Sequence, residues 1–214
     1  FVPIHLSADT DWTVITNLAD IRIITGTIFV AVLFWIIIRT SAKQETKPIS
    51  LGLIWFCAAL LPTSLAPFAE VTNDHRMFFP FIGLALSVVT YMALLVRRYG
   101  IIQQEAGKKA IITTVCLVLA LHAYGVYQRN KVWKNDETLW YDVTIKSPKN
   151  GRGMMNYGLS QMARGRYEEA LHYFEKARET LPYYHTLYIN LGIITNAMGK
   201  PEEAEPHFKT AIQL

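Results

Sequence analysis

The last third of the chain repeats itself with a period of 34 residues. Gly158 recurs as Gly192, Gly165 as Gly199, Ala170 as Ala204, Phe174 as Phe208 and Ala177 as Ala211. A period of this length marks a solenoid of helical pairs. One pair cannot bury its apolar face alone, so neighbours must stack to share a core. The small residues sit where paired helices approach closely, and the aromatics fill the gap to the next unit.

The rest of the chain obeys a different constraint. Half of all residues, 51%, are hydrophobic, and ahead of the repeats they are clumped rather than periodic. Four stretches are near the length a helix needs to cross a bilayer. They run from Arg22 to Arg39, from Ile49 to Ala69, from Met77 to Val96 and from Ala110 to Tyr127. Pro62 and Pro67 are expected to kink the second stretch or end it early. The predicted fold is therefore all-α: four transmembrane helices followed by a helix-turn-helix solenoid.

Charge sets an expected orientation. The loop after the first span carries Arg39, Lys43 and Lys47, and the loop after the third carries Arg97, Arg98, Lys108 and Lys109. The connection between the second and third spans has only Arg76, and residues 1–16 have no Lys or Arg. The positive-inside rule puts the two basic loops in the cytoplasm. The N-terminal segment, the Glu70–Arg76 loop and the repeats then lie on the outer side, which is periplasm in a bacterium or lumen in a eukaryote. The predicted domains are an outer segment at 1–16, a transmembrane region at 17–128, a connecting helix at 129–150 and two repeats at 151–214. The chain starts with Phe and stops inside the second helix of a repeat, so it is expected to be part of a longer protein.

The period and residue order of the last third are those of the tetratricopeptide repeat (TPR). Repeat one is expected from Gly151 to Tyr184, turning at Gly165 and closing at Pro182; repeat two runs from His185 to Leu214. Pro148 and Trp140 lie 34 residues before Pro182 and Phe174, so Asp136–Lys146 reads as half a repeat joining the fourth span rigidly to the solenoid. Pro201 suits a first helical turn, whereas Pro206 falls inside a helix and is expected to bend it. Asn156 and Asn190 are equivalent positions on the first helices. A side-chain amide there can hold a peptide backbone with one donor and one acceptor. The competing explanation is that Asn is a common solenoid residue.

The polar residues that invite chemistry lie in the outer segments. Residues 5–12 read His-Leu-Ser-Ala-Asp-Thr-Asp-Trp, and Glu70, Asp74, His75 and Arg76 precede the third span. Asp9, Asp11, Glu70, Asp74, His75 and Arg76 are expected on one side of the membrane, where they can converge. His75 or Asp74 offers a general base or metal ligand, and the Arg76 guanidinium matches lipid phosphate oxygens. Against this stands plain interfacial capping, with Asp74 at a helix N-terminus and Arg76 on it or on head groups. Asp20 and Arg22 are expected to pair locally, and His122 to be a satisfied group inside the bundle. Cys57 and Cys116 read as small buried hydrophobes. No nucleotide loop, zinc motif, catalytic triad or aromatic-interleaved basic patch is present in the sequence. Cofactor, metal and nucleic acid are therefore not expected.

Leu6-Ser7-Ala8-Asp9-Thr10-Asp11-Trp12 before one span, Asn73-Asp74-His75-Arg76-Met77-Phe78-Phe79-Pro80-Phe81-Ile82-Gly83 opening another, and a terminal TPR array together resemble one family. It is the bacterial membrane TPR proteins related to the transmembrane-and-TPR O-mannosyltransferases of the GT-C glycosyltransferase superfamily. The resemblance covers essentially the whole chain, as the C-terminal half of such a protein. It implies sugar transfer from a polyprenyl-phosphate donor to a protein hydroxyl on the outer side. It also implies a catalytic acidic motif in an earlier outer loop, outside this chain, so no catalytic residue is assigned. Arg76 is the position carried over, as a lipid-phosphate contact. Two functions follow as expectations. One is a scaffold or accessory subunit of a larger complex in a bacterial inner membrane, binding a protein or peptide through the repeats. The other is a protein O-glycosyltransferase.

Overall fold

The computed structural model describes residues 6–12, 15, 17, 19–65 and 77–214. Among these residues the chain is all-helical, with α1 Ile21–Ser41, α2 Lys47–Leu65, α3 Phe78–Arg98, α4 Glu105–Val132, α5 Asp136–Lys146, α6 Gly151–Met162, α7 Tyr167–Thr180, α8 His185–Ala197 and α9 Pro201–Gln213. The contacts divide them into two units. One comprises residues 12–123; the other joins residues 1–11 to residues 124–214.

α1 and α3 of the first unit, and α4, whose last turns belong to the second, are long and apolar enough to cross a membrane. The sequence predicts four such spans. The second corresponds to α2, which continues three residues beyond Pro62; the expected remainder, with Pro67, lies outside the described residues. α4 is longer than its expected span at both ends, because a helix continues through Lys108, Lys109 and Arg129 although hydropathy does not. A helix of 28 residues is about 42 Å long, against ~30 Å of hydrocarbon in a bilayer.

α2 and α3 approach at Gly52 and Gly83, where a side chain on either would strike the other's backbone. Ser87 Oγ donates across this contact to the Ile49 carbonyl at 2.9 Å and within its own helix to the Gly83 carbonyl at 3.1 Å. Trp55 closes the same pair, its Nε1 donating to the Phe79 carbonyl at 3.1 Å, with the two rings 5.0 Å apart. Small residues at the contact, with hydrogen bonds between helices, are how apolar helices associate without a hydrophobic drive. Leu33 of α1 packs with Ile49, Leu53 and Phe56 of α2.

α4 buries no residue. Leu119 and Leu121 are more than 60% exposed. Cys116 is exposed as well, so of the two expected buried cysteines only Cys57 is partly covered. His122 is likewise satisfied within α4 and not by the bundle. Its Nδ1 lies 2.8 Å from the Val118 carbonyl, which can only accept, so Nδ1 carries the proton. Asp20 caps α1, accepting from the Arg22 amide at 2.8 Å and gripping the Arg22 guanidinium at 2.7 and 3.0 Å, as the local pairing predicts.

In the second unit, α5 opens with a reciprocal cap: Asn135 Oδ1 accepts from the Thr138 amide at 2.9 Å, and Thr138 Oγ1 accepts from the Asn135 amide at 3.4 Å. The two helical pairs stack around Met154, Met155, Ala170, Phe174, Ala177, Leu187, Leu191 and Ile194. Gly165 and Gly199 turn the chain at φ 75° and 79°, a left-handed conformation that side chains disfavour. α9 begins at Pro201 and continues through Pro206.

Gly158 leaves no room for a side chain. A Cβ there would lie 2.7 Å from the ring of Phe174, which is fully buried, and one at Gly192 would lie 2.6 Å from Phe208. Gly158→Ala is expected to destabilise the repeats by about 1–3 kcal/mol, as overpacking does. Chemical denaturation of the full chain, followed by the protection of α6 and α7 amides, checks this.

Candidate functional site

The polar groups that converge are the N-terminal segment and the start of the solenoid. Residues 6–11 run over the turn between α5 and α6. Lys146 Nζ donates to the Leu6 carbonyl at 2.7 Å, Ser147 Oγ to the Asp9 carbonyl at 3.2 Å, and Asn150 Nδ2 to the Thr10 carbonyl at 2.7 Å. The Lys149 amide donates to Asp11 Oδ2 at 3.4 Å. The centre is Asp9, 3% exposed, whose Oδ2 accepts from Arg152 Nε at 2.9 Å and whose Oδ1 accepts from the Thr10 amide at 2.8 Å. Ser7 Oγ donates back to the Asp9 carbonyl at 2.6 Å, tightening the strap.

Helix ends hold the receiving side chains in place. Asn150 is the N-cap of α6: its Oδ1 accepts from the Gly153 amide at 2.7 Å, which leaves its Nδ2 for the strap. Lys146, in the last turn of α5, also pairs with Asp142 at 2.8 Å, and Asp142 in turn meets Arg129 of α4 at 2.7 Å. Gly153 lets α6 sit against the fully buried Val143 of α5.

Of the expected polar cluster, Asp9 and Asp11 are thus engaged with the solenoid. Glu70, Asp74, His75 and Arg76 lie outside the described residues, as does His5. Among the described residues no group of His, Cys, Asp and Glu is placed to hold a metal ion. Arg152, Asn150, Ser147 and Lys146 were not singled out by the sequence, because their partners lie about 140 residues away and no local pattern carries that pairing.

The two repeat asparagines differ. Asn156 is half-buried, while Asn190 is 7% exposed and its Nδ2 is buried with no hydrogen-bond partner. A buried amide donor left unsatisfied costs stability, so its retention asks for an explanation.

Tyr157 stands between Tyr141, at 5.4 Å between ring centroids, and Tyr173, at 4.6 Å. Its hydroxyl donates to Glu169 Oε1 at 3.2 Å. Burial first, then the Glu169 carboxylate, pushes its pKa up to about 12 from an ordinary 10.0. The folded chain therefore keeps a proton that the unfolded chain releases. The stability this supplies is complete below pH 10.0 and is lost as pH rises through about 12. An ultraviolet tyrosinate titration alongside alkaline unfolding is expected to show both events in that window. Tyr157→Phe is expected to flatten the loss of stability.

Comparison with known proteins places these features. Residues 151–214 match the family described as Tetratricopeptide repeat. Protein O-mannosyl-transferase Tmtc3 of Drosophila melanogaster is 27% identical over 178 residues, which cover 82% of this chain and 19% of that protein. Protein O-mannosyl-transferase TMTC1 of Homo sapiens is 23% identical over 196 residues, covering 86% and 22%. Human TMTC3 is 24% identical over 219 residues, covering 95% and 23%. The chain spans about a fifth of the length of these curated relatives. Two solved MamA structures, MSR-1 and AMB-1, are each 21% identical to this chain; they cover 78% and 79% of it, and it covers 91% and 88% of them, with TM-scores of 0.35 and 0.37. The chain, all-helical among its described residues, carries tetratricopeptide repeats and resembles the TMTC protein O-mannosyl-transferases over most of its length.

Proposed function

We propose that the chain is a membrane-anchored TPR scaffold that binds an extended peptide or partner protein on the outer face of its membrane, as an accessory part of a larger membrane complex. The repeats supply the binding module. The observation that carries the binding role is Asn190, whose amide nitrogen is buried and unpaired on a first helix. A peptide carbonyl in the groove lined by α6 and α8 would satisfy it after a rotation of the amide, and Asn156 is the equivalent contact one repeat earlier.

Four crossings by α1 to α4 form the anchor in this proposal. The strap supports an even number: residues 6–11 hydrogen-bond the solenoid, so both ends of the crossing region belong on one side. Three crossings would separate them. Basic residues after α1 and at the end of α3 support placing those loops in the cytoplasm. Trp35 beside Arg39 on α1, Tyr127, Arg129 and Lys131 on α4, and Trp133 just after it suit the two membrane boundaries, with Lys131 4.7 Å from the Tyr127 ring. The outer side would be periplasm in a bacterium. In the same reading Arg76, with Glu70, Asp74 and His75 around it, contacts lipid phosphates at the entrance to α3.

A second reading has a specific observation behind it: the curated relatives are named protein O-mannosyl-transferases. The full-length protein would then transfer a sugar from a polyprenyl-phosphate donor to a protein hydroxyl, with its catalytic acidic motif outside this chain. The repeats would present the acceptor.

Affinity purification of the full-length protein in mild detergent, with mass spectrometry, separates the two. The scaffold predicts stoichiometric recovery of a membrane complex that Asn190→Ala abolishes, while folded stability changes by less than about 1 kcal/mol because an unpaired donor is removed. Outer-side proteins that lose their sugar when the gene is deleted would instead establish the enzyme. Topology has its own check. With Cys57 and Cys116 replaced, an impermeant maleimide is expected to label Trp12→Cys and Ala163→Cys from one side and Ala42→Cys from the other. Opposite-side labelling of the first two positions eliminates four crossings.

A further inference from the structure

We propose that the turn between α5 and α6 is a second peptide-binding site, separate from the first-helix groove, whose ligand is an extended peptide presenting an aspartate and which is filled here in cis by residues 6–11. Its recognition is that of a ligand. Three of the contacts go to the carbonyls of Leu6, Asp9 and Thr10, groups that every peptide offers. One buried carboxylate, that of Asp9, supplies the side-chain anchor on Arg152. The buried residues of the strap are Ser7 and Asp9, with no apolar residue among them. Leu6 and Ala8 are half-buried, and a short segment held mainly by hydrogen bonds outside the apolar core opens more easily than the helices it lies on.

The receiving side exists without the strap. Asn150 is fixed by capping α6, Lys146 by Asp142, and Ser147 and Lys149 by the turn that ends α5. A site whose donors are already oriented loses little freedom when a peptide enters. The strap is tethered nearby and competes at an effective concentration on the order of millimolar, so a free peptide enters once the anchor of the strap is removed. In this way the outer segment before α1 and a partner peptide exclude each other.

The test uses the full chain in detergent micelles and a fluorescent peptide with the sequence of residues 5–12. Asp9→Ala is expected to bind this peptide saturably, while the unaltered chain binds it at least about tenfold more weakly. Adding Arg152→Ala, or replacing the first aspartate of the peptide by alanine, is expected to weaken binding about tenfold or more, as loss of a charge-assisted hydrogen bond does. Absence of saturable binding to an Asp9→Ala chain with protected α6 amides would overturn the proposal, as would binding indifferent to Arg152. Hydrogen exchange on the unaltered chain decides independently of any variant. Strap amides are expected to exchange well ahead of those of α6. Exchange of both only together would make the strap an integral part of the fold and end the proposal.

Discussion

Close approach of helices at glycine is the constraint on which both units rest, and it works in two different settings. In the first unit α1 and α3 are long and apolar enough to cross a membrane, and apolar faces that stay in lipid would gain nothing by leaving it, so close contact is the source of attraction there. Gly52 and Gly83 bring α2 and α3 backbone to backbone, near enough for Ser87 to reach the Ile49 carbonyl. In the second unit the attraction is burial from water. There the glycine makes room for a phenylalanine ring, Phe174 over Gly158, which is removed from solvent completely. The same missing Cβ thus allows a hydrogen bond in one unit and a packed aromatic in the other.

Most helices were legible because their signals are local. α5 runs over the expected residues, Asp136–Lys146, since Asn135 and Thr138 cap its start and Pro148 follows its end. The repeat helices follow from a 34-residue spacing that marks stacked helical pairs. α4 extends beyond the expected span because hydropathy falls at Lys108, Lys109 and Arg129 while the helical conformation continues. The burial of Cys116 and the bundle contact of His122 were misjudged for one reason: both expectations assumed neighbours around α4.

The candidate site was legible in half. Asp9 and Asp11 stood out as unusual polar residues before a span, but their partners did not. Arg152 reads as one more charged residue of a solenoid, and Asn150 as a cap, which it also is. Nothing within a window of a few turns connects them to a segment about 140 residues earlier. Asn190 shows the opposite balance. Its position follows from the period, while its unpaired nitrogen is visible only once the neighbours of α8 are placed.

The two repeats are alike in sequence and unlike in environment, and the difference follows from stacking. Phe174 is fully buried with α8 packed on its pair, whereas Phe208, its equivalent, is 37% exposed. Met155 is 5% exposed and its equivalent Ile189 is 39%. In a solenoid each unit is stabilised by its own pairing and by its neighbours. Repeat one has α5 on one side and repeat two on the other; repeat two has, in this chain, repeat one alone. The strap adds a further tie at the α5–α6 turn, beside the better supported repeat.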